Sequence, residues 1–379
     1  MILKALKYKC GLLGEWSIIS GTTHDEFVQF ENINLFVGRN ASGKTRLIET
    51  LRWISDLLDA ESNIEDVAVI DTHFEIIFKD GQDIIEYTLN FNRQASITDE
   101  NLSINNDIKL QRREKKLFYE GLGQNLPFEI NDRFLGISRR DNIQQPFFEI
   151  LHKWGKNLAH YSFGGNMGKG QYKLNDFENQ ENFSFKNFNK VNVIYSKGKK
   201  DFNTQFDKII IDDMEKIDYH LKSISLDSAS RFLFLKVQES DLPNETYFER
   251  MSQGMARAFS LIVQLNYSLM AKIPSCILID DIGEGLDYDR SKKLIELIIE
   301  KAEGSNIQVF MTTNDRFVMN SVPLKYWSVI HREGNKSVFY NHQNSKQTFD
   351  DFALTGFNNF DFFATEFYRL GFEEFLQTA

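Results

Sequence analysis

The stretch NLFVGRNASGKTRLIETL, Asn34 to Leu51, decides the fold. An apolar run ends at Val37, a glycine-bounded loop follows, and Gly-Lys-Thr opens an amphipathic segment. The spacing Gly38-x-x-x-x-Gly43-Lys44-Thr45 is the P-loop pattern. Gly38 and Gly43 free the backbone to turn its N–H groups inward, so that Arg39, Asn40, Ala41 and Ser42 can cradle phosphate oxygens. A helix starting at Lys44 and running through Arg46 adds the positive end of its dipole. Lys44 sets a point charge on the β- and γ-phosphates, and the Thr45 hydroxyl is the expected Mg²⁺ ligand. Leu35, Phe36 and Val37 read as a buried strand, and Leu47, Ile48, Leu51, Ile54 and Leu58 recur at helical spacing. The loop therefore predicts a bound nucleoside triphosphate with Mg²⁺.

Such a loop needs a carboxylate to complete the Mg²⁺ shell, and CILIDDIGEGLD, Cys276 to Asp287, offers one. Its apolar strand ends in Asp280, at the edge of a sheet where ligands collect. Asp280 is expected to hold Mg²⁺ and Asp281 to orient the attacking water. Upstream, a Ser-x-Gly turn opens a long helix at Ser252, Gln253, Gly254 and Met255. Ser252 can cap that helix, Gly254 permits close approach, and the helix start favours an anion. Because Lys44 already serves the γ-phosphate, this second anion site is expected to serve the nucleotide of another subunit.

Taken together these stretches resemble the ATP-binding-cassette ATPases of the SMC/RecF/OLD type. The resemblance covers about residues 1–105 and 230–345. It implies ATP and Mg²⁺ as cofactors. It also implies that two heads close face to face, with each Ser-x-Gly signature turn on the γ-phosphate held by the other. Gly285-Leu286-Asp287 stands where that family carries its D-loop, at the dimer interface. The short N-terminal lobe and the absence of a long heptad pattern are most similar to the compact ABC-type ATPases of bacterial anti-phage systems and overcoming-lysogenization proteins.

Two positions depart from the family pattern. Asp281 stands where the family carries Glu, one methylene longer. Asn314, in MTTNDR, stands where the family carries a switch histidine, and an amide cannot carry a proton. Slow hydrolysis is the expectation, with Asp281, Lys44 and Asn314 as the catalytic set. Gln111 or Gln144 is the candidate for the family's glutamine loop, and Tyr8 or Trp16 for its base-stacking aromatic.

The remaining composition sets bounds. The chain has 379 residues, 42% hydrophobic and 26% charged, with 34 Phe and 5 Pro. The net charge of -10 does not advertise nucleic acid, so any DNA contact needs a local basic patch. Lys109, Arg112, Arg113, Lys115 and Lys116 are either such a patch or a solvated face. Lys197, Lys199 and Lys200, and the pair Arg139-Arg140, pose the same choice. Cys10 and Cys276 form no metal motif or disulfide framework, which points to a reducing cytoplasm. No apolar run reaches transmembrane length, and the polar start does not read as a signal peptide. No nuclease-like acidic constellation follows the ATPase motifs, so a separate effector protein is expected.

The fold expected is α/β: a P-loop NTPase of ABC type, with a mixed sheet, flanking helices and an N-terminal antiparallel lobe. The expected division is 1–105 as the nucleotide-binding lobe and 106–240 as an inserted, mostly helical region. Residues 241–345 follow as the signature and Walker B lobe, and 346–379 as a helical tail. Two functions fit. One is a homodimeric, nucleotide-gated sensor that regulates an effector in defence. The other is a RecF-type DNA clamp in repair or replication. A membrane-transporter cassette fits less well, because the signature turn lacks that family's Ser-Gly-Gly-Gln.

Overall fold

In the computed structural model the residues described are 1–379 except 12–14, 22–26, 61–62, 68–69, 164–171, 174–190, 230–231 and 379. The chain forms two compact units: residues 1–156 with 323–379, and residues 157–322. In chain order the first unit holds β1 (Ile2–Cys10), β2 (Trp16–Ser20), β3 (Val28–Gln29), β4 (Ile33–Val37), α1 (Lys44–Leu58) and α2 (Ile64–Val67). It continues with β5 (Thr72–Asp80), β6 (Asp83–Phe91), β7 (Ile97–Ile104), β8 (Asp107–Gln111), β9 (Lys116–Tyr119), β10 (Gln124–Pro127) and α3 (Phe148–Lys156). The second unit holds β11 (Leu158–Ser162), β12 (Tyr172–Lys173), α4 (Val191–Phe202), α5 (Thr204–Lys216), β13 (Leu221–Ala229), β14 (Phe232–Glu239) and β15 (Thr246–Tyr247). It ends with α6 (Gln253–Met270), β16 (Ser275–Asp280), α7 (Tyr288–Ala302), β17 (Ile307–Thr313) and α8 (Arg316–Ser321). The chain then returns to the first unit as β18 (Trp327–Glu333), β19 (Lys336–Asn341), α9 (Lys346–Ala353), α10 (Asn359–Ala364) and α11 (Phe367–Thr378).

The first unit is a mixed sheet in the order β10-β9-β8-β7-β6-β5-β1-β2-β19-β18-β4. From β10 to β2 every pair is antiparallel, as hairpins dictate, and the turn at Asp80–Asp83 lies where Asp80-Gly81 predicts it. β2 pairs parallel with β19, and β18 pairs parallel with β4. All five residues of β4 are buried, as its unbroken apolar run requires. α1 buries Leu47, Ile48, Leu51, Ile54 and Leu58, the face its 3.6-residue period specifies. α3 lies against α1, and its Trp154 meets the Phe78 ring edge-on at 4.9 Å.

A buried carboxylate braces the outer strands. Glu100 on β7 accepts from the Tyr87 hydroxyl at 3.0 Å, the Arg112 guanidinium at 2.9 Å, and the Gly136 and Ile137 N–H groups at 2.6 and 3.2 Å. Burial pushes its carboxyl above the usual range, against the pull of the Gly136 N–H and of Arg112. Arg112 also donates to the Phe134 and Asn131 carbonyls, so one ion pair fastens the 131–137 segment to the sheet.

In the second unit three parallel strands run β17-β16-β11, with Leu158 to Ser162 opposite Cys276 to Asp280. A separate antiparallel sheet joins β12, β14 and β13, with β15 on β14. α6 buries Gly254 through Ser268 without a break, so it is a core helix rather than an amphipathic surface one. Among the described residues no helix is long and apolar enough to cross a membrane.

The mostly helical reading of 106–240 is corrected. DIKLQRREKKLFYEGL is a hairpin, with Leu110 and Leu117 fully buried opposite each other across its two strands. The charged helix formers that suggested a helix sit in its turn, where Lys115 takes a φ of 52°. α3 starts near Pro146 as expected, but it stops at Lys156 and LAHYS becomes β11. The compact units also cut across the expected divisions. YWSVIHREGNKSVFYN belongs to the first unit, because β18 and β19 pair with β4 and β2. The tail is helical as expected. The Gly- and Asn-rich stretch after Phe163 lies outside the described residues apart from Tyr172–Lys173.

Glu100→Ala should lower unfolding stability by about 3–5 kcal/mol, the usual result of stranding one half of a buried ion pair. Denaturant titration checks it, with Arg112→Met in the Glu100→Ala background recovering part of the loss.

Candidate nucleotide site

In the first unit β4 delivers the chain into the loop and α1 leaves it. A Cβ on Gly38 would lie 2.4 Å from the Ser42 hydroxyl and 2.7 Å from the Ile330 carbonyl. Gly43 has a φ of 109°, and a Cβ there would lie 2.6 Å from the Ser337 hydroxyl. Both glycines are thus required by space, and Gly43 also by conformation. Lys44 is buried, and its ammonium donates to the Gly38 carbonyl at 2.7 Å and the Arg39 carbonyl at 3.2 Å. Thr45 and Arg46 are exposed at the head of α1, whose first turn carries no acidic residue. Among the described residues the buried Ser42 hydroxyl has no hydrogen-bond partner. An anion-favouring helix start, a lysine folded into the loop and an unsatisfied hydroxyl fit a triphosphate.

The loop rests on side chains that sequence reading did not find. Ser337 on β19 donates to the Ser42 carbonyl at 2.8 Å and accepts from the Trp16 indole N–H at 3.0 Å. The Arg46 guanidinium lies over the Trp16 ring at 4.6 Å. Trp16 is 1% exposed and Tyr8 3%, so both are core residues and neither is placed to stack on a base. Exposed Arg39 pairs with Glu366, between α10 and α11, at 2.9 Å.

In the second unit β16 ends at buried Asp280. The Thr312 hydroxyl, on neighbouring β17, donates to Asp280 Oδ1 at 2.5 Å and accepts from the Asp281 N–H at 2.8 Å. One fully buried hydroxyl therefore orients both acids. Asp281 has a φ of 54°, a left-handed conformation that Asp adopts more readily than most residues with a Cβ. That is a local reason for Asp at the position where the resembled family carries Glu. Asn314 follows directly after β17 and is exposed.

Ser252 caps α6, accepting from the Met255 N–H at 3.3 Å, and both Ser252 and Gln253 are exposed. Gly254 also has a packing role inside its own unit. Its missing Cβ leaves room for the Gly285 carbonyl, 2.5 Å from that point, and for Leu286 at 2.9 Å. One turn further along, buried Arg257 donates to the Glu284 carbonyl at 2.7 Å, and burial lowers its guanidinium pKa. Helix α6 and the 284–286 turn are therefore packed closely against each other. Asp287 caps α7, and the Arg290 N–H that it accepts holds its carboxyl below the usual range.

Other candidates resolve differently. Gln111 ends strand β8, between β7 and β9, and Gln144 lies just ahead of α3. The basic cluster is engaged inside its own unit. Arg112 is on Glu100, Arg113 on Asp99, Lys115 on Glu129 and Lys116 on Glu114, while Lys109 sits over the Phe118 ring at 4.1 Å. Arg140 pairs with Glu149, Lys197 with Asp201 and Lys199 with Asp207.

The profile of a protein family described as "AAA domain, putative AbiEii toxin, Type IV TA system" matches residues 33–315. No curated protein matches the sequence. Among solved structures, the SMC head bound to the C-winged helix domain of ScpA aligns at 14% identity with a TM-score of 0.53. That alignment covers 89% of this chain and 97% of the other. An Smc head with an extended coiled coil, bound to the C-terminal domain of ScpA derived from Pyrococcus furiosus, aligns at 12% identity with a TM-score of 0.52. It covers 93% of this chain and 99% of the other. At these identities the likeness shows the fold alone, which is that of SMC head domains.

Thr312→Val should destabilise the protein by about 1–3 kcal/mol, because it leaves the Asp280 carboxylate and the Asp281 N–H without their shared partner. Thermal unfolding reads this directly. Gly254→Ala should be at least as damaging, since its methyl meets backbone rather than a movable side chain. Both variants are compared with Gln253→Ala, an exposed neighbour expected to change stability by less than about 0.5 kcal/mol.

Proposed function

The chain belongs to the AAA-domain family whose description names a putative AbiEii toxin of type IV toxin–antitoxin systems, and we propose that it is a slow, cytoplasmic, Mg²⁺-dependent ATPase that closes as a head-to-head homodimer. In this reading the protein is a nucleotide-gated sensor or regulator of a separate effector protein, in anti-phage defence. The observation that carries it is the exposed Ser252 cap. A Ser-x-Gly turn heads an 18-residue core helix, in a chain whose P-loop already supplies one phosphate site.

The residues divide the work as follows. The N–H groups of Gly38 to Arg46 and the Lys44 ammonium bind the β- and γ-phosphates. Thr45 and Asp280 would hold Mg²⁺, which neutralises charge on the transferred phosphoryl group. Asp281 accepts a hydrogen bond from the attacking water and orients it. Asn314 reaches the γ-phosphate as a hydrogen-bond donor but takes no proton. Ser252, Gln253, Gly254 and Met255 of one copy close on the nucleotide of the other, and Gly285, Leu286 and Asp287 line that contact. The shortness of Asp281 and the amide at Asn314 both favour slow turnover. The engaged cations between Lys109 and Lys116 weigh against the RecF-type DNA clamp.

Solution mass with and without ATP–Mg²⁺ tests the proposal. Wild type is expected to dimerise only with nucleotide, Asp281→Asn to accumulate as dimer, and Lys44→Ala to stay monomeric. Turnover should remain below about 10 s⁻¹. A wild type that remains a monomer in ATP–Mg²⁺, or a faster turnover, would overturn it.

A further inference from the structure

The Arg39 side chain has no part in the cradle of backbone N–H groups, yet it leaves the chain directly after Gly38. Its carbonyl accepts from the Lys44 ammonium at 3.2 Å and from the Ser42 N–H at 3.1 Å, which fixes its backbone in the loop. Its guanidinium is 73% exposed and donates to Glu366 Oε1 at 2.9 Å. The partner is built the other way. Glu366 is 18% exposed, and its second oxygen accepts from Arg369 at 2.5 Å. It takes a φ of 57°, a left-handed conformation that glycine or asparagine adopts at less cost. A glutamate at such a position points to a use for its carboxylate. The residues that follow it are anchored. Phe367 and Tyr368 are buried, the Tyr368 hydroxyl shares a hydrogen bond of 3.0 Å with His331 Nδ1 on β18, and its ring meets Tyr340 of β19 at 5.3 Å. Glu366 is thus the fixed member of the pair and Arg39 the one able to swing.

We propose that the Arg39 guanidinium is a phosphate ligand for which the C-terminal tail competes: Glu366 draws it from one side, and the phosphates of a nucleoside triphosphate in the loop draw it from the other. This rests on the reading of the P-loop as a nucleotide site. The two acceptors are chemically alike, since a guanidinium meets carboxylate and phosphate with the same fork of N–H donors. A triphosphate carries more negative charge than one carboxylate that Arg369 already shares, so the exchange favours the nucleotide. Arg369, with Arg39 in support, holds the Glu366 carboxyl below the usual range against the effect of burial, so it is an anion at neutral pH. When Arg39 leaves, Arg369 remains as its partner, and no charge is stranded. Because Arg39 is exposed, its pair with Glu366 is weak, and the tail tunes affinity rather than deciding it. Reciprocity then requires the nucleotide to loosen the seat of the tail by the same factor by which the tail weakens the nucleotide. Occupancy of the loop is in this way communicated to α11.

The test is calorimetric titration of the full chain with ATPγS–Mg²⁺, as wild type, Glu366→Gln, Arg39→Ala and the double variant, with a thermal midpoint for each. Glu366→Gln keeps the shape of the side chain and removes its charge. It is expected to tighten binding about threefold, the size of a surface ion pair. Arg39→Ala removes the ligand from an exposed position and is expected to weaken binding about tenfold, the effect of one hydrogen bond to a charged group. The double variant is expected to bind like Arg39→Ala, because Glu366 acts only through Arg39. Physiological salt, which screens exposed charges beyond about 8 Å, keeps direct repulsion between Glu366 and the phosphates out of the comparison. An Arg39→Ala protein that binds as tightly as wild type would overturn the proposal. So would a folded Glu366→Gln protein whose affinity does not rise, or a rise that persists without Arg39. If Glu366→Gln lowers the thermal midpoint, Arg39→Ala still decides, since its site is exposed. A wild type that takes no nucleotide would instead overturn the reading of the loop itself, and the wild-type titration separates the two failures.

Discussion

The Ser337 hydroxyl is the contact on which the phosphate loop depends. It receives the Trp16 indole N–H, gives its own proton to the Ser42 carbonyl, and fills the space that a side chain at residue 43 would need. Without it the buried Ser42 carbonyl would lose this partner. Satisfying that carbonyl from below leaves the N–H groups for an anion. Trp16 extends the support by lying under Arg46, so the first turn of α1 is steadied from the same strand pair. Preorganisation of this kind matters because a cradle of backbone dipoles works only if it need not rearrange when the charge arrives.

The second unit solves a comparable problem with a threonine. Two acidic residues stand side by side at the end of β16, Asp280 within the strand and Asp281 just past it. The Thr312 hydroxyl settles both, as donor to Asp280 and acceptor from the backbone of Asp281. Nearby, helix α6 and the 284–286 turn touch through Gly254 and Arg257, with no flexible side chain between Gly254 and the Gly285 carbonyl. Displacement of one must therefore be felt by the other.

What was legible in the sequence was local. The run from Asn34 to Leu51 contains its own strand, turn and helix signals, and each appears where the pattern places it. The strand ending at Asp280 and the cap at Ser252 were legible for the same reason. The supports were not, because their partners are far away along the chain. Trp16 and Ser337 are 321 residues apart, and Asp280 and Thr312 are 32 apart. A serine or threonine in a strand carries no mark of the carbonyl or carboxylate it will meet. The 107–119 hairpin was misread because Arg, Glu and Lys favour helices when nothing else decides, whereas the buried positions of Leu110 and Leu117 outweigh that weak preference. Arg112 looked like part of a cationic surface until its partner, Glu100, was found at full depth.

The return of the chain to the first unit bears on how the protein is made. The Ser42 carbonyl and the Ser337 hydroxyl that holds it are 295 residues apart. A ribosome adding about 5–20 residues per second needs roughly 15–60 s to travel between them. The whole of residues 157–322 is synthesised in that interval. The phosphate loop thus leaves the exit tunnel early but acquires its underpinning late, once β18 and β19 have emerged to pair with β4 and β2. A nascent chain therefore lacks the Ser337 support until all of residues 157–322, with the Asp280 strand and helix α6, have been made.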